Sequence, residues 1–153
     1  MPLIPNLATS NRSISSLAAS TFAPGETVLA AGSRTGHLFI LQKGLVEVVR
    51  NGVQIATVSE SGAIFGELAI LLDKPHTADV RAIERSEFHV AQASSLLTGD
   101  VAALLYVSTI LAQRLDAANE AVVEIKRELE SGKRPGVVTK AIEGLERLLK
   151  PTG

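Results

Sequence analysis

The sequence lacks cysteine and tryptophan, and it contains one tyrosine and four phenylalanines among 153 residues. Without cysteine the chain has no disulfide, no thiolate nucleophile and no sulfur ligand for a metal, which fits a reducing compartment. With so few aromatic side chains, it offers few surfaces on which unpaired bases could stack. The core must therefore be built mainly from valine, isoleucine, leucine and alanine.

An excess of charge of one sign is also absent. The 15 basic residues nearly balance the 16 acidic residues, so the formal net charge is -1. Such a chain has no broad electrostatic field that would hold a polyanion or an anionic membrane surface. We therefore expect no direct nucleic-acid partner and no membrane association.

Targeting and membrane-spanning segments are not evident. The N-terminal residues lack a basic region followed by an apolar run, so they do not resemble a secretory signal. The longest apolar stretch, residues 101–112, is interrupted by Ser108 and Thr109 and is short for a bilayer span. A length of 153 residues with 46% apolar composition fits one compact unit, and we expect it to be cytoplasmic.

The region from residue 27 to residue 92 contains short β-branched segments separated by glycines. The predicted strands are residues 27–31, 37–42, 45–49, 53–58, 77–83 and 87–92. Asn51-Gly52 predicts a two-residue hairpin turn, because both residues tolerate a positive φ. In that hairpin Val48 would face Ile55, and Val46 would face Thr57. Short strands joined by glycine turns predict a small sandwich or barrel-like roll.

Helical patterns flank this β-region. Residues 4–20 form a weak candidate rich in serine, with Leu7, Ile14, Leu17 and Ala18 on its apolar side. Residues 100–130 form a strong candidate, because its apolar positions step alternately by four and three. These positions are Leu104, Ser108, Leu111, Leu115, Ala118, Val122, Ile125 and Leu129. This heptad spacing predicts pairing with a second copy, since a helix of about 45 Å is longer than a small roll is wide. The alternative is a single amphipathic helix that packs only on its own core.

The sequence changes again after the long helix. Ser131-Gly132 and Pro135-Gly136 predict its end, and a short amphipathic helix follows whose apolar face, residues 137–149, could contact an unidentified protein partner. This remainder is too short for a helix-turn-helix module, which needs two packed helices. The expected segments are an N-terminal helical segment (1–21), the roll (22–98), a long dimerisation helix (99–131) and a short C-terminal helix with a tail (132–153).

The most informative motif runs from Phe65 to Ala82 and reads FGELAILLDKPHTADVRA. It resembles the phosphate-binding cassette of the cyclic nucleotide-binding domain family, as found in catabolite-activator-like regulators. That cassette reads Phe-Gly-Glu-Leu/Ile-Ala, a short helix, then Pro-Arg-Ser/Thr-Ala. The similarity covers residues 22–98, through FAPGE at 22–26, HLFIL at 37–41 and the glycine turns. LAQRL at 111–115 resembles the family's long helix.

This resemblance implies a mainly β fold with flanking helices. Its core would be a cyclic-nucleotide-binding-type β-roll, also called a double-stranded β-helix or jelly roll. A long C-terminal dimerisation helix would follow the roll, without a DNA-binding domain.

The chemistry around Gly66 is compatible with a bound anion. A residue without Cβ lets a phosphate approach the backbone, and a helix beginning at Glu67 presents unpaired N–H groups. The alternative is an ordinary turn followed by a solvated glutamate that complements the helix dipole. By resemblance, Glu67 would bind the ribose 2′-hydroxyl, and Thr77 and Ala78 would lie on the far side of the phosphate.

One position departs from the family pattern. Where the family has an arginine that binds the cyclic phosphate, this chain has His76, which is mostly neutral at pH 7 and cannot bind through two parallel hydrogen bonds. The substitution would weaken binding about 10- to 150-fold. Lys74 would compensate in part, or it is simply a solvated lysine. The predicted ligand-binding residues are Phe65, Gly66, Glu67, Leu68, Ala69, His76, Thr77, Ala78 and, near the base, Asn119, for which an ordinary exposed helix position is the alternative.

The resemblance implies a regulatory module that binds cAMP or cGMP and couples binding to helix arrangement in a homodimer. The dimer contacts would be Leu104, Leu111, Leu115, Val122, Ile125 and Leu129. The alternative is a degenerate domain that serves as a dimerisation or partner-docking scaffold with no nucleotide. We expect no catalytic residue, no metal and no cofactor other than the ligand. His37, His76 and His89 do not have the spacing of a metal site, and neither a Gly-x-Ser-x-Gly nor a phosphate-loop motif is present.

Overall fold

The computed structural model describes residues 17–132, which contain eight strands and three helices. The strands are β1 (Ala18–Phe22), β2 (Thr27–Leu29), β3 (His37–Lys43), β4 (Val46–Arg50), β5 (Val53–Val58), β6 (Ile64–Phe65), β7 (Asp79–Ala82) and β8 (Ser86–Gln92). The helices are α1 (Glu67–Leu71), α2 (Ala93–Gly99) and α3 (Val101–Glu130).

The strands form two antiparallel four-stranded sheets, in the orders β1-β8-β3-β6 and β2-β7-β4-β5. The chain crosses from one sheet to the other several times, so strands far apart in sequence, such as β1 and β8, are neighbours in the same sheet. Buried residues from both sheets form one apolar cluster: Val28, Leu29, Phe39, Leu41, Val46, Phe65, Val80 and Phe88. The predicted mainly β roll with a long helix after it is confirmed.

All four phenylalanines of the chain meet inside this roll, although they come from four different strands. Phe88 has no exposed surface, and its ring lies edge-on to those of Phe22, Phe39 and Phe65. The ring centroids are 5.6 Å, 6.2 Å and 6.1 Å from that of Phe88, which is the favourable range for aromatic pairs. The few aromatic residues are therefore concentrated where the two sheets meet.

The N-terminal part of the roll differs from the sequence prediction. Residues 18–20 lie in strand β1, which pairs with β8, and not in the weak helix predicted over residues 4–20. The pairing of Ala18 to Phe22 with β8 outweighs the helix propensity of this serine-rich segment, which is weak in an isolated helix. Residues 1–16 lie outside the described part of the chain, so Leu7 and Ile14 are not placed.

The β4–β5 hairpin has the predicted turn but a different register. Arg50 pairs with Val53 and Val49 with Gln54, as a two-residue turn requires. The register then shifts between Val48 and Val49, so Val48 pairs with Ala56 and Val46 with Val58. The predicted facing pairs, Val48 with Ile55 and Val46 with Thr57, are wrong, because one extra residue in β5 forms a bulge.

Helix α3 begins at Val101 and ends at Glu130, in agreement with the predicted span. The chain divides into two compact units between Thr109 and Ile110, which is inside this helix. In the first unit, Ala103 and Val107 are buried, and the Asp100 carboxylate accepts the N–H groups of Ala102 and Ala103 at the helix start. The first two turns of α3 are therefore anchored in the unit that contains the roll.

The predicted dimer positions on α3 differ in exposure within the single chain. Leu104 and Leu115 are exposed, Leu111, Ile125 and Leu129 are half-buried, and Val122 is only 7% exposed. Val122 is thus already covered without a second chain. The predicted C-terminal helix at residues 137–149 lies outside the described residues.

By length and composition alone, α3 could cross a membrane, which differs from the expectation based on the apolar stretch at residues 101–112. Ala103 and Val107 are nevertheless buried in the first unit, and charged residues such as Arg114 and Asp116 are costly within a bilayer. Packing therefore accounts for Ala103 and Val107, whereas Val101, Leu104 and Leu105 of the same turns are exposed.

Replacement of Phe88 by alanine should lower the free energy of unfolding by about 3–5 kcal/mol, because it leaves a cavity where three other rings meet. Ile55→Ala is the matched control, since Ile55 is 58% exposed on β5 and should change stability by about 0.5 kcal/mol or less. Urea unfolding of the two variants measures both values. Equal losses would contradict the assignment of Phe88 to the centre of the core.

Candidate functional site

The candidate site begins where strand β6 ends. Gly66 follows Phe65 with a left-handed backbone (φ 94°) and precedes α1. A Cβ on Gly66 would lie 2.7 Å from the carbonyl oxygen of His37, which is closer than such contacts occur. The glycine is therefore required because strand β3 approaches it closely, and the space that its missing Cβ leaves is occupied by protein backbone. This differs from the predicted reason, in which that space admits a phosphate.

Glu67, the first residue of α1, is 4% exposed. The alternative interpretation of this residue as a solvated glutamate at a helix start is therefore wrong. The residue that caps α1, Gly66, has no side chain and so offers no side-chain hydrogen bond to the first backbone N–H groups of the helix. A buried carboxylate beside these backbone N–H groups is a polar feature that an ordinary turn does not require.

His76 lies beside Gly66 and is 6% exposed. Its backbone is held on both sides by the β2–β3 loop: Gly32 N–H donates to the His76 carbonyl at 2.8 Å, and His76 N–H donates to the Ser33 carbonyl at 2.9 Å. Its ring atom Cε1 is 3.5 Å from the position that a Cβ of Gly66 would occupy. The imidazole is therefore directed into the protein at the predicted site and away from solvent.

The imidazole of His76 has a side-chain partner on the same loop. Its Nε2 lies 2.9 Å from the Thr35 hydroxyl, which also accepts the backbone N–H of His37 at 3.3 Å. This pair fixes the orientation of the ring. The Nδ1 edge of the ring remains the one through which His76 would reach a ligand.

Burial lowers the pKa of His76 from its ordinary value of 6.5, while the nearby Glu67 carboxylate acts in the opposite direction. The desolvation effect is the larger of the two, so the imidazole is neutral at neutral pH. A buried carboxylate next to a neutral imidazole gives this pair a net negative charge. An arginine at position 76 would have cancelled that charge.

Two contacts hold the β2–β3 loop around His76 from the outside. The Asp79 carboxylate accepts the N–H of Ala31 at 2.7 Å, which joins the loop to β7. The Arg34 guanidinium lies 3.2 Å from the Asp73 carboxylate after α1, although both side chains are largely exposed. The exposed ion pair contributes little to stability, whereas the backbone bonds and the Asp79 contact define the loop position.

The structure brings Gly66, Glu67 and His76 together, although His76 is separated from the other two in sequence. Thr77 and Ala78 follow His76 directly and are half-buried, as is Ala69. Of the other predicted ligand contacts, Phe65 is buried and its ring packs against Phe88 in the core. Leu68 is exposed to solvent. Their roles in ligand binding stay predictions.

Asn119 lies in the second unit, far along α3. Its side chain is exposed beside a shallow depression formed with Glu120, Val123, Glu124 and Arg127. Exposure fits the ordinary helix position that was its alternative interpretation. A contact with the base stays a prediction.

Sequence reasoning did not identify Thr35, Ser33 and Asp79, which position His76 and its loop. They lie in a loop without a motif and, for Asp79, at the start of a strand, so no local pattern marks them. The glycines at 32 and 36 that bracket the loop were the only sequence signal that a tight turn passes near this place.

The site and the roll agree with one protein family. The cyclic nucleotide-binding domain family matches residues 19–98, which include the whole of the Gly66 and His76 region. The chain belongs to the cyclic nucleotide-binding domain family. The resemblance found in the cassette sequence is thereby confirmed, and the described roll is its cyclic nucleotide-binding domain.

Sequence relatives match this domain as a small part of much larger proteins. The chain is 33% identical over 76 residues to the mouse voltage-gated inwardly rectifying potassium channel KCNH7, covering 48% of this chain and 6% of the channel. It is 41% identical over 63 residues to a cGMP-dependent protein kinase of Plasmodium berghei (strain Anka), covering 41% of this chain and 7% of the kinase. These matches concern the domain and not the activities of the whole relatives.

Solved structures share the fold of this cyclic nucleotide-binding domain. The catabolite activator protein of Thermus thermophilus matches with a TM-score of 0.65 and 20% identity, over 82% of this chain and 61% of that protein. A regulatory subunit of a cAMP-independent protein kinase A from Trypanosoma cruzi, bound to guanosine, matches with a TM-score of 0.53 and 20% identity. That match covers 62% of this chain and 34% of that one.

The lowered pKa of His76 predicts a specific acid sensitivity. The unfolded state binds a proton near pH 6.5, whereas the folded state resists it, so the free energy of unfolding should fall as the pH drops below about 6.5. Urea unfolding at pH 7.5 and pH 5.5 measures this loss, which His76→Gln should reduce. His37→Gln is the control, since His37 is exposed. Equal acid losses in the wild type and His76→Gln would contradict the burial of a neutral His76.

Proposed function

We propose that this chain is a non-enzymatic, cytoplasmic regulatory module that binds a cyclic nucleotide, cAMP or cGMP, between Glu67 and His76. The observation that carries the proposal is the burial of these two polar side chains side by side at Gly66. Buried polar groups of this kind are costly unless they serve a structural network or a ligand. Membership of the cyclic nucleotide-binding domain family supports the ligand.

In this proposal, Glu67 accepts a hydrogen bond from a ribose hydroxyl, and the imidazole of His76 faces the cyclic phosphate. The anion would raise the pKa of the imidazole and draw a proton onto it. Binding is therefore linked to proton uptake, and it is weaker than it would be with an arginine at position 76. The backbone N–H groups at the start of α1 would supply further donors to the phosphate.

Calorimetric titration with cAMP and with cGMP tests this proposal directly. Binding should be tighter at pH 6 than at pH 8, because protonated His76 is more populated at the lower pH and favours the anion. The heat at one pH should depend on the ionisation enthalpy of the buffer, which reports the proton taken up. His76→Arg should tighten binding at pH 8 by about 10- to 150-fold.

Gln54→Arg is the control for added charge, because it places an arginine on the exposed strand β5. It should leave the affinity unchanged. Absence of heat at millimolar nucleotide with both the wild type and His76→Arg would contradict the proposal and favour the scaffold alternative.

The charge of the site supports a second candidate ligand, an uncharged purine nucleoside. A buried carboxylate next to a neutral imidazole repels an anion but suits sugar hydroxyls, which donate and accept hydrogen bonds. The similar Trypanosoma cruzi subunit is bound to guanosine. Adenosine and guanosine therefore belong in the same titrations, and a nucleoside that binds more tightly than its cyclic nucleotide at pH 8 would favour this second candidate.

The output of the module is proposed to be a homodimer formed through α3. Apolar residues at heptad spacing on a helix of 30 residues support pairing with a second copy. Leu115 is the most suitable anchor, because it is 50% exposed, whereas Val122 is covered within the chain. The face of residues 137–149 is proposed to contact a further protein partner.

Leu115→Glu should shift the protein from dimer towards monomer in sedimentation equilibrium, because it places a charge in the proposed apolar seam. Val123→Glu is closely matched, since Val123 is 49% exposed on the same helix but lies outside the heptad positions. It should leave the dimer intact. A monomeric wild type, or equal effects of the two substitutions, would contradict pairing through this seam.

A further inference from the structure

The one tyrosine of the chain connects the long helix to the strand that leads into the candidate site. Tyr106 lies on the second turn of α3, in the first compact unit, and is half-buried. Its hydroxyl donates to the carbonyl oxygen of Gly62 at 2.7 Å, across 44 positions of sequence. The family match includes Gly62 but ends at residue 98, before Tyr106, and neither residue is among the proposed ligand contacts.

Gly62 is fitted closely to the tyrosine. Its backbone is left-handed (φ 94°), and a Cβ at this position would lie 2.6 Å from the Tyr106 hydroxyl oxygen. The turn is also bound to β3, because Gly62 N–H donates to the Leu41 carbonyl at 2.7 Å and Leu41 N–H donates to the Ala63 carbonyl at 2.9 Å. The hydroxyl of Tyr106 therefore binds a turn whose position is set by the roll.

The path from this turn to the site is short and buried. Only Ala63, Ile64 and Phe65 separate Gly62 from Gly66, and the last two are buried and paired with β3. Because close-packed protein interiors are only slightly compressible, a displacement at one end of so short a segment moves its other end as well. A movement of Gly66 on ligand binding would reach Gly62, and through it the hydroxyl of Tyr106.

The hydrogen bond differs in kind from the apolar packing beside it. Ala103 and Val107 on the same face of α3 are buried, and such contacts tolerate small sliding movements. A hydrogen bond of 2.7 Å is limited in distance and angle. Burial also raises the pKa of Tyr106 above its ordinary value of 10.0, so the hydroxyl keeps its proton and remains a donor throughout the neutral range.

We propose that Tyr106 is a positioning residue that couples the first turns of α3 to the Gly66 site through the carbonyl of Gly62. The proposal rests on the proposed function, since the coupling transmits a signal only if the site takes a ligand. Physically, the bond ties the position of the helix to the position of β6. A change at either end is then opposed or favoured at the other, as coupling between sites requires.

Tyr106→Phe tests the coupling, because it removes the hydroxyl and retains the ring. In the ligand-free protein, we expect backbone amide hydrogen exchange of residues 62–71 and 101–109 to become about three- to tenfold faster, as loss of one hydrogen bond predicts. Thr109→Val is the matched control. It also removes a hydroxyl from α3 in the first unit, but that hydroxyl donates to Leu105 of the same helix. It should leave the exchange of residues 62–71 unchanged.

The ligand-free comparison decides the inference independently of any ligand. Unchanged exchange of residues 62–71 in Tyr106→Phe, or an equal increase in Thr109→Val, would overturn it, and thermal melting of both variants verifies that they fold. Titration of the wild type with cAMP or cGMP decides the proposed function separately. If the wild type binds, the ligand-induced change in exchange over residues 101–109 should be lost in Tyr106→Phe and kept in Thr109→Val. An undiminished change in Tyr106→Phe would also overturn the inference.

Discussion

The close approach of the His37 carbonyl to Gly66 is the constraint on which the site depends. Strand β3 comes so near to the end of β6 that no side chain fits between them, and the chain turns through a left-handed residue into α1. This turn places Glu67 under the surface at the start of the helix. The same meeting point lies against the ring of His76, which the β2–β3 loop holds through its backbone and through Thr35. Three separate segments thus converge because two strands are packed at backbone distance.

The electrostatics of the site follow from that convergence. A carboxylate and an imidazole that would both be solvated on a free chain are buried together, and the cost of charging the imidazole keeps it neutral. The chain belongs to the cyclic nucleotide-binding domain family, and at position 76 it carries a group that gains charge only in acid or beside an anion. A cyclic nucleotide would bind together with a proton, an uncharged nucleoside would bind without one, and an empty scaffold would bind neither.

Helix α3 combines two roles along its length. Its first turns are anchored in the unit of the roll by Ala103, Val107 and the hydroxyl of Tyr106, and its later turns carry the heptad positions in the second unit. Ala103, Tyr106 and Val107 lie within the first two turns, so the first unit holds this part of the helix through both apolar contacts and a hydrogen bond.

The sequence by itself determined the roll, the long helix from Val101 to Glu130 and the family, because these depend on local periodicity, glycine turns and a contiguous cassette motif. It also identified Gly66, Glu67 and His76 as candidates. Only the tertiary structure decided that residues 18–20 form an edge strand, that a bulge shifts the β4–β5 register, and that Glu67 is buried rather than solvated. Thr35 and Tyr106 could not be found from sequence. Their partners lie 41 and 44 positions away, and a hydrogen bond across such a separation depends on how distant loops and the long helix pack on the roll, which no local pattern of residues encodes.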